Sequence, residues 1–166
     1  ISNPAVFNPN GGTVQLVGST QFLTLPASLT LNNLTINKLP GNGVFFQTTS
    51  TIIVPGTLTL TEGQVANSSG TGTIDAQGNV VIASTYDGGT ANHLISGAAA
   101  RTVTLPVGAI IPRLTINAPN VTVNTSGAGT ITFVQLLDLQ SALSFTNGSV
   151  NFVFSPAFTI TATSNF

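Results

Sequence analysis

Apolar and polar residues alternate with period two along most of the chain, in short runs such as FLTL, SLTL, NLTIN, TIIV, TLTLT, NVVIA, TVTL, RLTIN, NVTVN, TITF, SVNFVF and FTITAT. A strand turns successive side chains to opposite faces, so each run predicts a half-buried strand, and Thr, Val and Ile favour the same state. Turn dipeptides separate the runs: Asn10-Gly11, Asn42-Gly43, Glu62-Gly63, Ser69-Gly70, Gln77-Gly78, Asp87-Gly88, Ser126-Gly127 and Asn147-Gly148. Strong helix formers are scarce, and only VQLLDLQSAL (Val134–Leu143) reads as a helix in isolation. The expected fold class is all-β.

The pattern also repeats at longer range. LTIN occurs at Leu34–Asn37 and again at Leu114–Asn117, 80 positions apart (34 to 114), and Thr-Leu-Pro at Thr24 and Thr104 keeps the same offset. Upstream, FNPNGGTVQLVG (Phe7–Gly18) is similar to YDGGTANHLISG (Tyr86–Gly97). Downstream, TIIVPGTLTLTEG lies over TITFVQLLDLQSA with Leu58 on Leu137 and Leu60 on Leu139. That alignment puts Asp138 in the outward slot of Thr59 and makes the ambiguous segment a strand. The reading is one all-β domain over residues 1–166 with an internal repeat of about 80 residues, roughly 7–85 and 86–166. The segment GTGTIDAQGNVVIAS (Gly70–Ser84) lacks an evident counterpart. Each copy alone would expose sheet edges and an apolar face, and stacking buries both, so a β-solenoid is expected. An antiparallel β-sandwich with strand complementation is the alternative, because the strand spacing suits it equally.

Charge narrows the partners. Lys38, Arg101 and Arg113 stand against Glu62, Asp75, Asp87 and Asp138, which makes 4% of the 166 residues charged where about 25% is usual. Three cations cannot neutralise a run of phosphates or form a polybasic patch, so neither nucleic acid nor a membrane surface is an expected partner. No apolar run reaches the roughly 18 residues of a membrane span. A nearly uncharged surface has little electrostatic repulsion to keep copies apart, which favours self-association. The chain has no Cys, so thiolate metal sites and thiol nucleophiles are excluded. It begins at Ile1 without an initiator Met, as expected of a mature product or a fragment.

Candidate chemistry is sparse. His93 is the single histidine and has Asp87 near it in sequence, yet no GxSxG elbow accompanies it, so it reads as a strand or turn residue. Asp75 and Asp87 are the acids best spaced to stack on one solenoid face, although YDGG also reads as a hairpin or corner turn. A calcium site would need mostly carbonyl ligands, and no metal or cofactor is expected. N-x-[ST] sequons mark Asn33, Asn67, Asn120, Asn124 and Asn147 as candidate N-glycosylation sites. Asn33 and Asn120 fall on expected strands, Asn67 and Asn147 in expected turns that a modifying enzyme reaches more easily. Threonine runs such as TLTLT suit an ice-binding face as well as an ordinary outward β surface. Phe45, Phe46, Phe133, Phe145, Phe152 and Phe154 are the expected interior aromatics.

The order GGTVQLVGSTQ, LNNLTINK, VPGTLTLTEGQV resembles the tandem repeats of large bacterial cell-surface and secreted proteins. The resemblance implies an extracellular, non-catalytic, solenoid-like stalk or adhesin repeat. The expectation is a structural subunit of an extracellular or cell-surface filament, not an enzyme, assembling with copies of itself head-to-tail by β-strand addition or end stacking. ISNPAVFNPNGG carries Pro4 and Pro9 and is a poor central strand, whereas SPAFTITATSNF is strand-like with no clear partner in the repeat. Either end is expected to reach a neighbouring subunit. The alternative is an adhesin or binding module of a surface stalk, taking a glycan or ice.

Overall fold

The computed structural model describes residues 10–141, 143–146, 150–155 and 159–162. The described residues form a helix-free β-solenoid of about six turns, with strands on three faces. The first coil contains β1 (Thr13–Gly18), β2 (Gln21–Leu23) and β3 (Ser28–Thr30); the second contains β4 (Asn33–Lys38), β5 (Gly43–Phe46) and β6 (Ser50–Val54). In the third, β7 (Leu58–Asn67) bends across two faces before β8 (Gly72–Ala76). The fourth has β9 (Val80–Ile82), β10 (Tyr86–Gly88) and β11 (Asn92–Ser96). β12 (Arg101–Pro106) and β13 (Ile110–Asn117) make the fifth, β14 (Val121–Ser126) and β15 (Gly129–Leu139) the sixth. β16 (Leu143–Thr146), β17 (Val150–Phe154) and β18 (Thr159–Ala162) come last.

Every ladder is parallel, which sets the antiparallel sandwich aside. The first face runs β1-β4-β7-β9-β12-β14-β16. On the second, β2, β5 and the end of β7 lead to β10, and the first half of β15 pairs with β17. On the third, β3-β6-β8-β11-β13 leads to the second half of β15 and β18.

Stacking explains why alternation alone suffices to build this fold. Val14, Leu34, Leu58, Val80, Val103 and Val123 form one inward column on the first face, and Leu16, Ile36, Leu60 and Ile82 form another. On the third face Leu29, Ile52, Ile74, His93, Leu114 and Leu137 make a third column. Each residue therefore packs on a like-sized neighbour one coil above and below. Burying each aliphatic side chain contributes roughly 1.5–3 kcal/mol, so the columns hold the fold together.

The structural repeat is the coil. Stacked partners lie between 19 and 25 residues apart, as in His93 on Ile74 and Asn37 on Glu62. The 80-residue spacing of LTIN carries the motif from β4 on the first face to β13 on the third. VQLLDL belongs to β15, with Asp138 half-buried on an outward row between Thr115 and Thr161. Gly70–Ser84, which lacked a counterpart, supplies β8 and β9.

The corners need their own hydrogen bonds. Asn33 Oδ1 accepts from Thr57 N at 2.7 Å, and Asn79 Oδ1 accepts from Thr102 N at 3.0 Å, so each amide satisfies a backbone group one coil on. Two of the three cations do similar work. Buried Lys38 donates to Val17 O, Ser19 O and Gln21 Oε1 at 2.7–3.1 Å. Buried Arg101 donates to Gln77 O at 2.9 Å and to Ala99 O. These charges close corner loops and are not surface features.

Candidate functional site

His93 points inward in a column otherwise aliphatic, and the cause is Tyr86 on the adjoining face. The Tyr86 hydroxyl lies 2.9 Å from His93 Nε2, and Nδ1 lies 3.2 Å from Arg113 O. A carbonyl only accepts, so Nδ1 carries the proton and Nε2 accepts from the tyrosine. The rings meet edge to face with centroids 5.9 Å apart. Burial pulls the imidazole down to about 4 and pushes the phenol well above its ordinary value. Both ring nitrogens are committed, no serine hydroxyl among the described partners engages them, and the pair is enclosed. It is a core element, and YDGG is a short strand with a corner at Gly88 and Gly89, not a hairpin.

The acids do not converge. Asp75 lies on β8, on the third face, and accepts from Ser96 Oγ at 2.5 Å and Gln77 Nε2 at 3.0 Å. Asp87 lies on β10, on the second face. Asp138 accepts from Gln140 Nε2 at 2.7 Å and Thr161 Oγ1 at 2.6 Å. Among the described residues no group of three or more His, Asp or Glu side chains is placed to hold a metal ion.

Exposure of the sequons differs from the expectation. Asn67 ends β7 half-buried, with its Oδ1 accepting from Gly72 N at 2.6 Å and its Nδ2 donating to Thr90 O at 3.2 Å. Asn33 is similarly engaged at its corner, through Thr57 N and Gly11 O. Asn120, expected on a strand, is exposed in the turn before β14 with φ near 60°. Asn124 is half-buried on β14, and Asn147 lies outside the described residues. Of the expected interior aromatics, Phe46 and Phe133 are buried, while Phe45 lies outside against Phe22 at 5.5 Å. Side-chain placement of Phe145 is outside the described set. Phe45 misled because it follows Val44 in an apolar run, and pleating sends one of any two neighbours outward.

The remaining two aromatics define the most distinctive region. Phe152 is half-buried and Phe154 is 43% exposed in β17, both packing on Phe133, at 5.8 and 5.7 Å between centroids. Beside them Val153 is 46% and Ile160 49% exposed. Here the solenoid interior opens as a wholly apolar cavity of about 250 Å³, lined among others by Val123, Leu137, Phe152, Phe154 and Ile160. β18 has a partner within the chain, the second half of β15, which corrects the expectation that this segment lacked one. β16, β17 and β18 each pair on one side only among the described residues, and so do β1, β2 and β3 at the opposite end. Both ends thus present parallel ladders paired on one side only among the described residues. No helix of the described residues is long and apolar enough to cross a membrane. Comparison with family models, with curated proteins and with solved structures found no match to this chain.

Proposed function

We propose that the chain is a structural subunit of a filament on the cell exterior, joined head-to-tail by end stacking of its terminal coils. One observation carries this reading: among the described residues the strands of the last coil pair on one side only, beside an apolar cavity. An open ladder edge is a template for another chain. Because all strands are parallel, the ladder edge at β16–β18 and that at β1–β3 face opposite ways along one axis. A second copy placed end-on continues the same ladders, and a contact between unlike ends does not close, so it propagates. The extracellular setting is supported by the resemblance to surface-protein repeats and by the scarcity of charge. Among the described sequons, Asn120 is the one where a glycan would stand clear of the wall.

Negative-stain microscopy beside size-exclusion chromatography tests the proposal. Uniform unbranched fibres are expected, with width independent of protein concentration. The Phe154→Asp, Ile160→Asp double variant places charge on the exposed apolar rim and should remain monomeric with an unchanged far-ultraviolet spectrum. A wild-type chain that stays monomeric across concentration overturns the proposal, as do fibres from the double variant.

A further inference from the structure

The side wall carries a second feature, independent of the ends. In the third and fourth coils the corner between the second and third faces is a turn outside the strands, at residues 68–71 and 89–91. In the fifth and sixth coils the same corner is only a register shift within continuous strands, between Ile111 and Arg113 of β13 and along β15. Where the two kinds of corner meet lies a recess of about 440 Å³, within the size range of small-ligand sites.

The recess is lined by side chains of one chemical character. Thr71, Thr73, Thr90 and Thr115 supply hydroxyls, Thr115 also donating to Asn92 Oδ1, Asn92 supplies its amide N–H groups, Asn67 is committed to Gly72 N and Thr90 O, and Leu136 is an apolar patch of the wall. Arg113 lies among them, half-buried, facing Leu136 in the ladder. It is the third cation, and it differs from the other two. Lys38 is held by two backbone carbonyls and Gln21 Oε1 and Arg101 by the carbonyls of Gln77 and Ala99, whereas among the described residues the Arg113 guanidinium has no hydrogen-bond or ion-pair partner, its carbonyl alone being engaged. Asp138, two residues beyond Leu136 on β15, is held by Gln140 and Thr161, and Asp75, which acts on Arg101, is held by Ser96 and Gln77.

We infer that this recess is a binding site for a carboxylate-bearing oligosaccharide, with the Arg113 fork on the carboxylate and the Thr and Asn side chains on the sugar hydroxyls. A guanidinium matches a carboxylate through two parallel N–H donors, and this geometry gives specificity as well as attraction. Rows of hydroxyls and amides match a polyol. No aromatic side chain lines the recess, so a neutral sugar would lack a stacking platform and the charge must supply the affinity.

The test is calorimetric titration of the full chain with trigalacturonate, with its carboxyl-reduced neutral counterpart, and with inorganic phosphate. Trigalacturonate is expected to bind, more weakly as salt rises, with the neutral trisaccharide at least tenfold weaker, on the order expected for a lost charge-assisted pair. Arg113→Gln should weaken trigalacturonate by a similar factor, and Arg113→Lys should recover part of the loss while keeping the fold. Equal binding of the two trisaccharides, no binding of trigalacturonate, or an Arg113→Gln chain that is folded and binds normally overturns the assignment. Phosphate that competes as well as trigalacturonate overturns the saccharide part and leaves an anion site.

Discussion

At the scale of single residues, the informative position is His93. Alternation alone places it on an inward slot, but nothing in the local sequence says that an imidazole can occupy a column of Ile and Leu. What allows it is the Tyr86 hydroxyl and a backbone carbonyl, a satisfied polar pair in a dry interior. The arrangement has a pH signature. The folded imidazole titrates at about 4, below the ordinary 6.5 of an unfolded chain. Above pH 6.5 both states are neutral at this group and its contribution is intact. As pH falls from 6.5 towards 4 the unfolded chain takes up a proton that the folded chain refuses, so stability declines. Below 4 the loss levels off, at about 3 kcal/mol. Urea midpoints measured at pH 7.5 and 4.5 should separate clearly for the natural chain. In the Tyr86→Phe, His93→Leu double variant the separation should shrink by most of that amount, because the comparison cancels what the carboxylates contribute. An unchanged separation would mean that His93 does not govern acid sensitivity.

At the scale of elements, most strands were legible and the winding was not. Period-two alternation located the runs, and the turn dipeptides marked several breaks correctly. Three things hid the coil. Its length varies between 19 and 25 residues, so no fixed period emerges. β7, β13 and β15 pass a corner inside a continuous strand, so Glu62-Gly63 reads as a break where β7 runs on, β13 carries only Pro112 at its corner, and β15 has no turn residue there. LTIN recurs on different faces, so the most visible repeat is not the structural one. The recess around Arg113 escaped for a related reason: it is made by the loss of a turn, and RLTIN reads as an ordinary strand. Corners also differ in how tightly they are built, which two glycines expose. Gly89 has φ +114°, and a Cβ there would lie 2.0 Å from Val65 O. Gly18 also has positive φ, +77°, but a Cβ there meets nothing within 4 Å. Gly89→Ala should therefore cost several kcal/mol through strain and displacement of the neighbouring coil, and Gly18→Ala only about 1 kcal/mol. Equal melting temperatures for the two variants would contradict the corner geometry.

At the scale of the whole molecule, the question is what force would join one copy to the next. Only seven side chains carry strong charges, and Lys38 and Arg101 among them are buried against carbonyls. What remains at the last coil is, among the described residues, a set of ladders paired on one side only and an apolar cavity lined in part by Phe152, Phe154 and Ile160. Surface ion pairs weaken as salt rises, because the Debye length falls from about 10 Å at 0.1 M to about 3 Å at 1 M. Backbone hydrogen bonds and apolar burial have no such dependence, and excluded salts such as sulfate strengthen burial. The critical concentration for assembly, followed by light scattering, should therefore be nearly the same in 0.1 M and 1 M NaCl and should fall in ammonium sulfate. Binding of trigalacturonate at Arg113 should move the opposite way, weakening with salt. One chain would thus show two salt responses of different kind, separating a contact made at the ends from one made on the wall. Fibres that dissolve in concentrated NaCl would mean that charge holds the copies together, and the end-stacking mechanism would have to be abandoned.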